Sequence, residues 1–183
     1  MNKERLKMAS GTELEIELTY LARFIPDEIA SLTPDIMEDV YYPDIPGQRS
    51  ILRLRRRGES YEITKKMPLT EGDGKRHLET TIELTREEYD ALHVATGKVV
   101  GKKRYKLQLG GRTAELDIFT GDLDGLVTID FEFDSESDVK GFVPPECCGP
   151  DVSDEHFIRG GEVAGKHYAD LIADLDRLDY KRL

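Results

Sequence analysis

Residues 13–21 read Glu13-Leu14-Glu15-Ile16-Glu17-Leu18-Thr19-Tyr20-Leu21, and acidic and apolar residues alternate along them with a period of two. That period belongs to a strand, whose successive side chains point to opposite faces, and not to a helix. Leu14, Ile16, Leu18 and Tyr20 share one face, and Glu13, Glu15, Glu17 and Thr19 share the other. Three carboxylates in a row on one face repel one another. A solvated edge strand tolerates that, so this segment alone leaves open whether the acidic face meets water or an interior.

The same habit recurs along the chain with changing sign. In 50–57, Arg53, Arg55 and Arg57 share a face opposite Leu52 and Leu54. Gly58-Glu59-Ser60 reads as a hairpin turn into a strand from Tyr61 to Lys66. Segment 76–84 alternates next, with His77, Glu79, Thr81 and Glu83 in one phase. Segment 99–109 carries Lys102, Arg104 and Lys106 in phase, and Gly110-Gly111 turns it into 112–120, where Glu115 and Asp117 share a face. In 126–134, Asp130, Glu132 and Asp134 oppose Ile129, Phe131 and Phe133. With an irregular strand over 36–45, this predicts about eight strands joined mostly by short turns. The fold class expected is α+β, mostly β: an eight-stranded antiparallel barrel with a few peripheral helices.

Two features turn the charged faces inward. They are segregated by sign from strand to strand, and the helices need the apolar faces to dock on. Thr85-Arg86-Glu87-Glu88 is a capping box opening a helix through Leu92 and Val94. A short acidic helix is expected over 135–141. A C-terminal helix is expected over about 162–180, with Leu171, Ile172, Leu175 and Leu178 at helical spacing.

The 183 residues suit one domain, with a core over about 12–165. No apolar run approaches the roughly 20 residues that span a bilayer, so no membrane partner is expected. Met1 to Ser10 is mixed in charge and lacks an apolar signal core, which points to the cytoplasm. Cys147 and Cys148 cannot form a disulfide framework or a zinc site alone and read as reduced thiols in a loop. The formal charge of −11 argues against nucleic-acid binding. Residues 49–112 nevertheless hold 16 of the 26 Lys and Arg, which makes a basic middle between acidic ends. Arginines and lysines on one lumen wall suit a chain of phosphates. Carboxylates on another suit divalent ions that take oxygen ligands and bridge to phosphate.

The order of Glu15-Ile16-Glu17-Leu18, Leu52-Arg53-Leu54-Arg55, Ile63-Thr64-Lys65-Lys66, Lys102-Lys103-Arg104-Tyr105, Glu115-Leu116-Asp117-Ile118-Phe119 and Ile129-Asp130-Phe131-Glu132-Phe133 resembles that of CYTH-domain proteins, the triphosphate tunnel metalloenzymes. The look is nearest to the bacterial inorganic triphosphatases. The resemblance implies an eight-stranded tunnel that hydrolyses a small-molecule triphosphate with Mg²⁺ or Mn²⁺. It implies metal ligands at Glu15, Glu17 and Glu132, with Asp117 and Asp130 as further metal-site carboxylates. Phosphate contacts are implied at Arg53, Arg55, Lys66, Lys102, Arg104 and Arg159, the last near the tunnel mouth and followed by Gly160 where the family often has Asn. The catalytic set expected is Glu15, Glu17, Lys66, Arg104 and Glu132, with Glu115 orienting basic residues. A homodimer is left open.

One departure matters. The family's opening motif is E-x-E-x-K, and Thr19 stands at its lysine. A hydroxyl carries no positive charge. Altered substrate choice, slower turnover or a non-catalytic polyphosphate or nucleotide binder all stay open, as do the family's adenylate cyclase and its nucleoside and thiamine triphosphatases. With no Trp and no base-recognition cluster, inorganic tripolyphosphate ranks first. His77, His93, His156 and His167 are scattered and none is expected to be catalytic.

Overall fold

The computed structural model describes residues 11–183, so the expectation for Met1 to Ser10 lies outside the described residues. Eight strands form the wall: β1 (Thr12–Ala22), β2 (Asp35–Tyr42), β3 (Leu52–Arg57), β4 (Ser60–Pro68), β5 (Arg76–Leu84), β6 (Val99–Leu109), β7 (Arg112–Thr120) and β8 (Val127–Phe133). Their order is β5-β4-β3-β2-β6-β7-β8-β1, every pair antiparallel, and pairing of β1 with β5 closes the barrel. The sign-segregated alternation has the consequence expected of it: the apolar faces point outward and the charged faces line the lumen.

The outward faces are covered by short elements. Val139 and Phe142, at and just beyond α2 (Glu136–Lys140), and Ile25 and Ile29, around a 3-10 turn at Asp27–Ser31, pack on the outer wall of β1, β8 and β7. α1 (Arg86–Leu92) sets Tyr89 against Val40 and Leu54, which are fully buried. Each such aliphatic side chain contributes roughly 1.5–3 kcal/mol by leaving water. The predicted capping box is present: Thr85 Oγ1 accepts from the Glu88 amide at 3.2 Å, and Glu88 Oε2 accepts from the Thr85 amide at 2.8 Å. The helix ends at Leu92, and Val94 lies exposed beyond it.

Two expectations are corrected here. The cysteine loop contains a ninth strand, β9 (Cys148–Asp151), which pairs with the end of β1. Its four residues include Gly149 and Pro150, a composition that reads as a turn. The single helix over 162–180 is instead broken into α3 (Gly160–Val163), a 3-10 turn at Tyr168–Leu171, and α4 (Ile172–Arg177). The break falls at Gly165, whose φ of +78° leaves the helical region. A Cβ there would also lie 2.5 Å from the Gly97 carbonyl oxygen.

The segment after β9, residues 152–162, crosses one end of the barrel as a strap. It begins at β1, where the Val152 amide donates to Thr19 O at 2.8 Å and the Thr19 amide donates to Ser153 Oγ at 3.0 Å. It ends against β2 and the start of β3: a Cβ on Gly160 would sit 2.0 Å from the Tyr41 hydroxyl, and one on Gly161 would sit 2.2 Å from Ser50 O. Val152 and Ile158 of the strap pack with Leu21, Val100, Phe119, Leu171 and Leu175 in a compact apolar plug.

Candidate active site

A cavity of about 510 Å³ runs through the barrel and is lined by the inward phase of every wall strand. Glu15, Glu17, Arg53, Arg55, Lys66, Lys102, Arg104, Asp117, Asp130, Glu132 and Arg159 all line it, so each site residue expected from sequence reaches one lumen. Strand alternation brings all but Arg159 there, because a side-chain period of two sends every second residue inward, while Arg159 arrives on the strap.

Register decides how they pair. On β2 and β3, Asp39 faces Arg55, and Arg55 Nε and Nη2 donate to its two carboxylate oxygens at 2.6 and 2.7 Å. Arg53 Nη2 donates to Thr64 Oγ1 at 3.4 Å and lies 3.7 Å from Glu62, while its buried Nε has no hydrogen-bond partner. On β6 and β7, Arg104 Nε and Nη2 donate to Asp117 at 2.6 Å each, its Nη1 donates to Glu115, and Lys102 donates to the same Asp117. Asp117 therefore anchors two cations. Asp130 lies 3.6 Å from Arg104. Over the intervening β5, Lys66 Nζ sits 2.6 Å from Glu15 Oε2 and donates to Glu17 Oε2 at 2.7 Å. The Glu15 contact is a close ion pair in which the buried oxygen has no aligned hydrogen-bond donor. Glu132 of β8 faces Glu17 in register, and Asp130 faces Thr19.

These placements shift proton affinities in opposite directions. Burial pushes the Glu15 carboxyl up to about 7, with Glu17 and Glu79 adding to the effect and Lys66 opposing it. For Glu17, burial is outweighed by Lys66, and the carboxyl falls to about 2. Two carboxylates sharing one ammonium divide this way, one ionised and one holding its proton more tightly. Asp130 rises to about 8 through burial and the neighbouring Glu17 and Asp117. Asp117 drops well below the carboxylate range, since Lys102 and Arg104 outweigh its burial.

A triphosphate-sized lumen walled by arginine forks and paired carboxylates is what the CYTH resemblance implies, and comparison with known proteins agrees. The CYTH domain profile matches residues 13–140. The chain belongs to the CYTH family. It is 34% identical over 143 residues to the inorganic triphosphatase of Nitrosomonas europaea, an alignment covering 77% of this chain and 90% of that protein. Two solved structures, one of them of an inorganic triphosphatase, superpose with TM-scores of 0.61 and 0.60 at 31% and 29% identity. They cover 84% and 83% of this chain and 99% and 95% of their own.

This CYTH lumen also holds residues that sequence reasoning passed over. Asp39 sits in the stretch read only as irregular, yet it is buried and backs Arg55. Tyr41, Glu62, Thr64, Glu79 and His77 line the cavity too. Their inward phase was available in the alternation; their partners were not. Thr19, at the motif lysine, lines the lumen while its backbone holds the strap. Arg159 is carried by that strap, so the basic residue expected near the mouth stands where the strap crosses one end of the barrel.

Proposed function

We propose that this CYTH protein hydrolyses inorganic tripolyphosphate in its lumen with the help of a divalent cation. One observation carries the reading: eleven Asp and Glu face seven Lys and Arg around a single cavity that also presents arginine forks. Forks backed by carboxylates suit phosphate oxygens. The surplus of carboxylates would repel a bare polyanion, so the site suits a polyanion arriving with divalent cations. Carboxylate oxygens are the ligands Mg²⁺ and Mn²⁺ take, and Glu15 and Glu17 already hold one cation, the Lys66 ammonium, between them, so the donor set fits in kind. Among the described residues, no three acidic or His/Cys groups already converge on one point, because Lys66 stands between Glu15 and Glu17.

Glu15, Glu17 and Glu132 would hold the ion, with Asp130 beside them and Asp117 engaged in anchoring Lys102 and Arg104. Once bound, a divalent ion supplies charge neutralisation at the reacting phosphoryl group. Arg53, Arg55, Lys66, Lys102, Arg104 and Arg159 hold the remaining phosphate oxygens and stabilise the charge that builds on the leaving pyrophosphate as water attacks phosphorus. Asp39 and Asp117 keep two of these guanidinium planes in place before substrate arrives.

Purified protein given tripolyphosphate with Mg²⁺ or Mn²⁺ should release orthophosphate. Glu17→Gln should lower the rate by about 10²-fold or more, because it removes a negative ligand where transition-state charge is neutralised. Tight calorimetric binding of tripolyphosphate without phosphate release over hours would identify a binding protein instead. Cyclic AMP formed from ATP without orthophosphate release would identify a cyclase. No helix among the described residues is long and apolar enough to cross a membrane.

A further inference from the structure

The strap end of the lumen contains a side chain that the pairing scheme leaves unused. Among the described residues, three buried side-chain nitrogens lack a hydrogen-bond partner: Arg53 Nε, Arg159 Nε and His77 Nδ1. All three residues line the same cavity. The two arginines belong to the phosphate contacts already described; His77 does not.

His77 is held firmly. It sits in β5 between Pro68 of β4 and Glu15 of β1. The turn leading into β5 is locked by Asp73, whose carboxylate accepts from the amides of Lys75 and Arg76 and from Arg76 Nε. Gly74 presses on the strap so closely that a Cβ there would lie 1.9 Å from Ser153 O. The charged groups around the ring are Lys66, Glu17, Arg159 and Asp73. A buried polar nitrogen usually has a partner, and each exception calls for a reason. The other histidines have visible occupations: His93 ends α1 and lies 5.5 Å from the Tyr89 ring, while His156 and His167 approach Glu162 and Asp122 at 3.8 and 3.3 Å. The His77 ring lines the lumen with Lys66 and Arg159 as its cationic neighbours and Glu17 and Asp73 as its anionic ones, and its buried Nδ1 is left to be satisfied by a ligand in that lumen.

We propose that His77 is a further substrate contact, its Nδ1 hydrogen-bonding an oxygen of the terminal phosphoryl group of a linear oligophosphate that reaches the strap end of the tunnel beside Arg53 and Arg159. This rests on the triphosphatase reading and extends it. Arg53 and Arg159 supply charge at that end, and His77 supplies direction.

Steady-state kinetics with tripolyphosphate, alongside melting temperatures, test the assignment. His77→Ala should raise KM about tenfold, the loss of roughly one hydrogen bond to a charged group, with kcat changed little. An Asn amide reaches the place of Nδ1, whereas a Gln amide reaches the place of Nε2. His77→Asn should therefore recover most of the wild-type KM and His77→Gln should not. A wild-type KM in His77→Ala overturns the proposal, as do equal KM values for the Asn and Gln variants. Should the alanine variant fail to fold, the Asn and Gln pair carries the test. A wild-type protein that neither hydrolyses nor binds tripolyphosphate overturns the triphosphatase reading and this contact together. That pattern differs from active wild type with an indifferent His77.

Discussion

Asp39 and Arg55 are joined by two short hydrogen bonds, with 1% and 8% of their side chains exposed. A buried pair is expensive to break from one side, because the survivor keeps its charge without a partner. Asp39→Asn should thus cost about 3–5 kcal/mol at neutral pH. Arg55 outweighs the burial of Asp39 and lowers its carboxyl from 3.8 to about 2. A depressed carboxylate stabilises the fold above its unfolded value and loses that contribution as pH falls through its folded value. The lost contribution is about 2 kcal/mol and goes between about pH 4 and pH 2. Urea titrations at pH 6 and pH 2.5 should show the gap between wild type and Asp39→Asn narrowing at the lower pH; a gap that stays constant would falsify the link. None of this was readable from spacing. The alternation says Arg55 faces inward, but it does not say that Asp39 is the residue opposite, because register between strands depends on loop lengths and closure rather than on any one strand. Lys66, shared by Glu15 and Glu17 over the intervening β5, is the same kind of fact.

At the scale of elements, the strands were legible because each buries one face and charges the other, a pattern only period two can satisfy. The capping box of α1 was legible from four residues for a similar reason: its chemistry is local. The strap was not. Residues 152–162 are positioned by close backbone approach, at Gly74, Gly160 and Gly161, and a glycine in sequence does not announce what it lies against. The single C-terminal helix was misread for a related reason, since Leu171, Leu175 and Leu178 keep helical spacing after Gly165 and say nothing of the break that Gly165 makes before them. Gly161→Ala would drive a Cβ to 2.2 Å from a backbone oxygen, which cannot rotate away as a side chain could. It should destabilise the protein by about 1–3 kcal/mol through overpacking and raise KM by displacing Arg159. Gly141→Ala, with nothing within 4 Å, is the control and should melt with wild type. Limited proteolysis should cut within the strap of Gly161→Ala first. An unaltered strap and unaltered KM would mean that the strap does not position Arg159.

The whole molecule carries a formal charge of −11, yet its substrate on this reading is a polyanion. The contradiction is resolved only inside the lumen, where cations stand on β3, β4 and β6 and carboxylates crowd β1, β7 and β8. A ligand that binds the folded protein and not the unfolded one raises stability by RT ln(1 + [L]/Kd), about 2.7 kcal/mol at a hundredfold excess over Kd. For a chain of this length that is a rise in melting temperature of several degrees. Mg²⁺ or Mn²⁺ should therefore raise the melting temperature, and EDTA should return it to the metal-free value. The two walls then part company. Glu132→Gln weakens the carboxylate wall and should lose most of the metal-induced rise. Arg53→Ala should keep the metal rise, since no carboxylate is touched, but should lose part of the further rise that tripolyphosphate adds. Neither measurement requires turnover, so both hold even if Thr19 has slowed the chemistry. A lumen in which both variants respond to metal and to tripolyphosphate as wild type does would mean that neither wall is where the ligands sit.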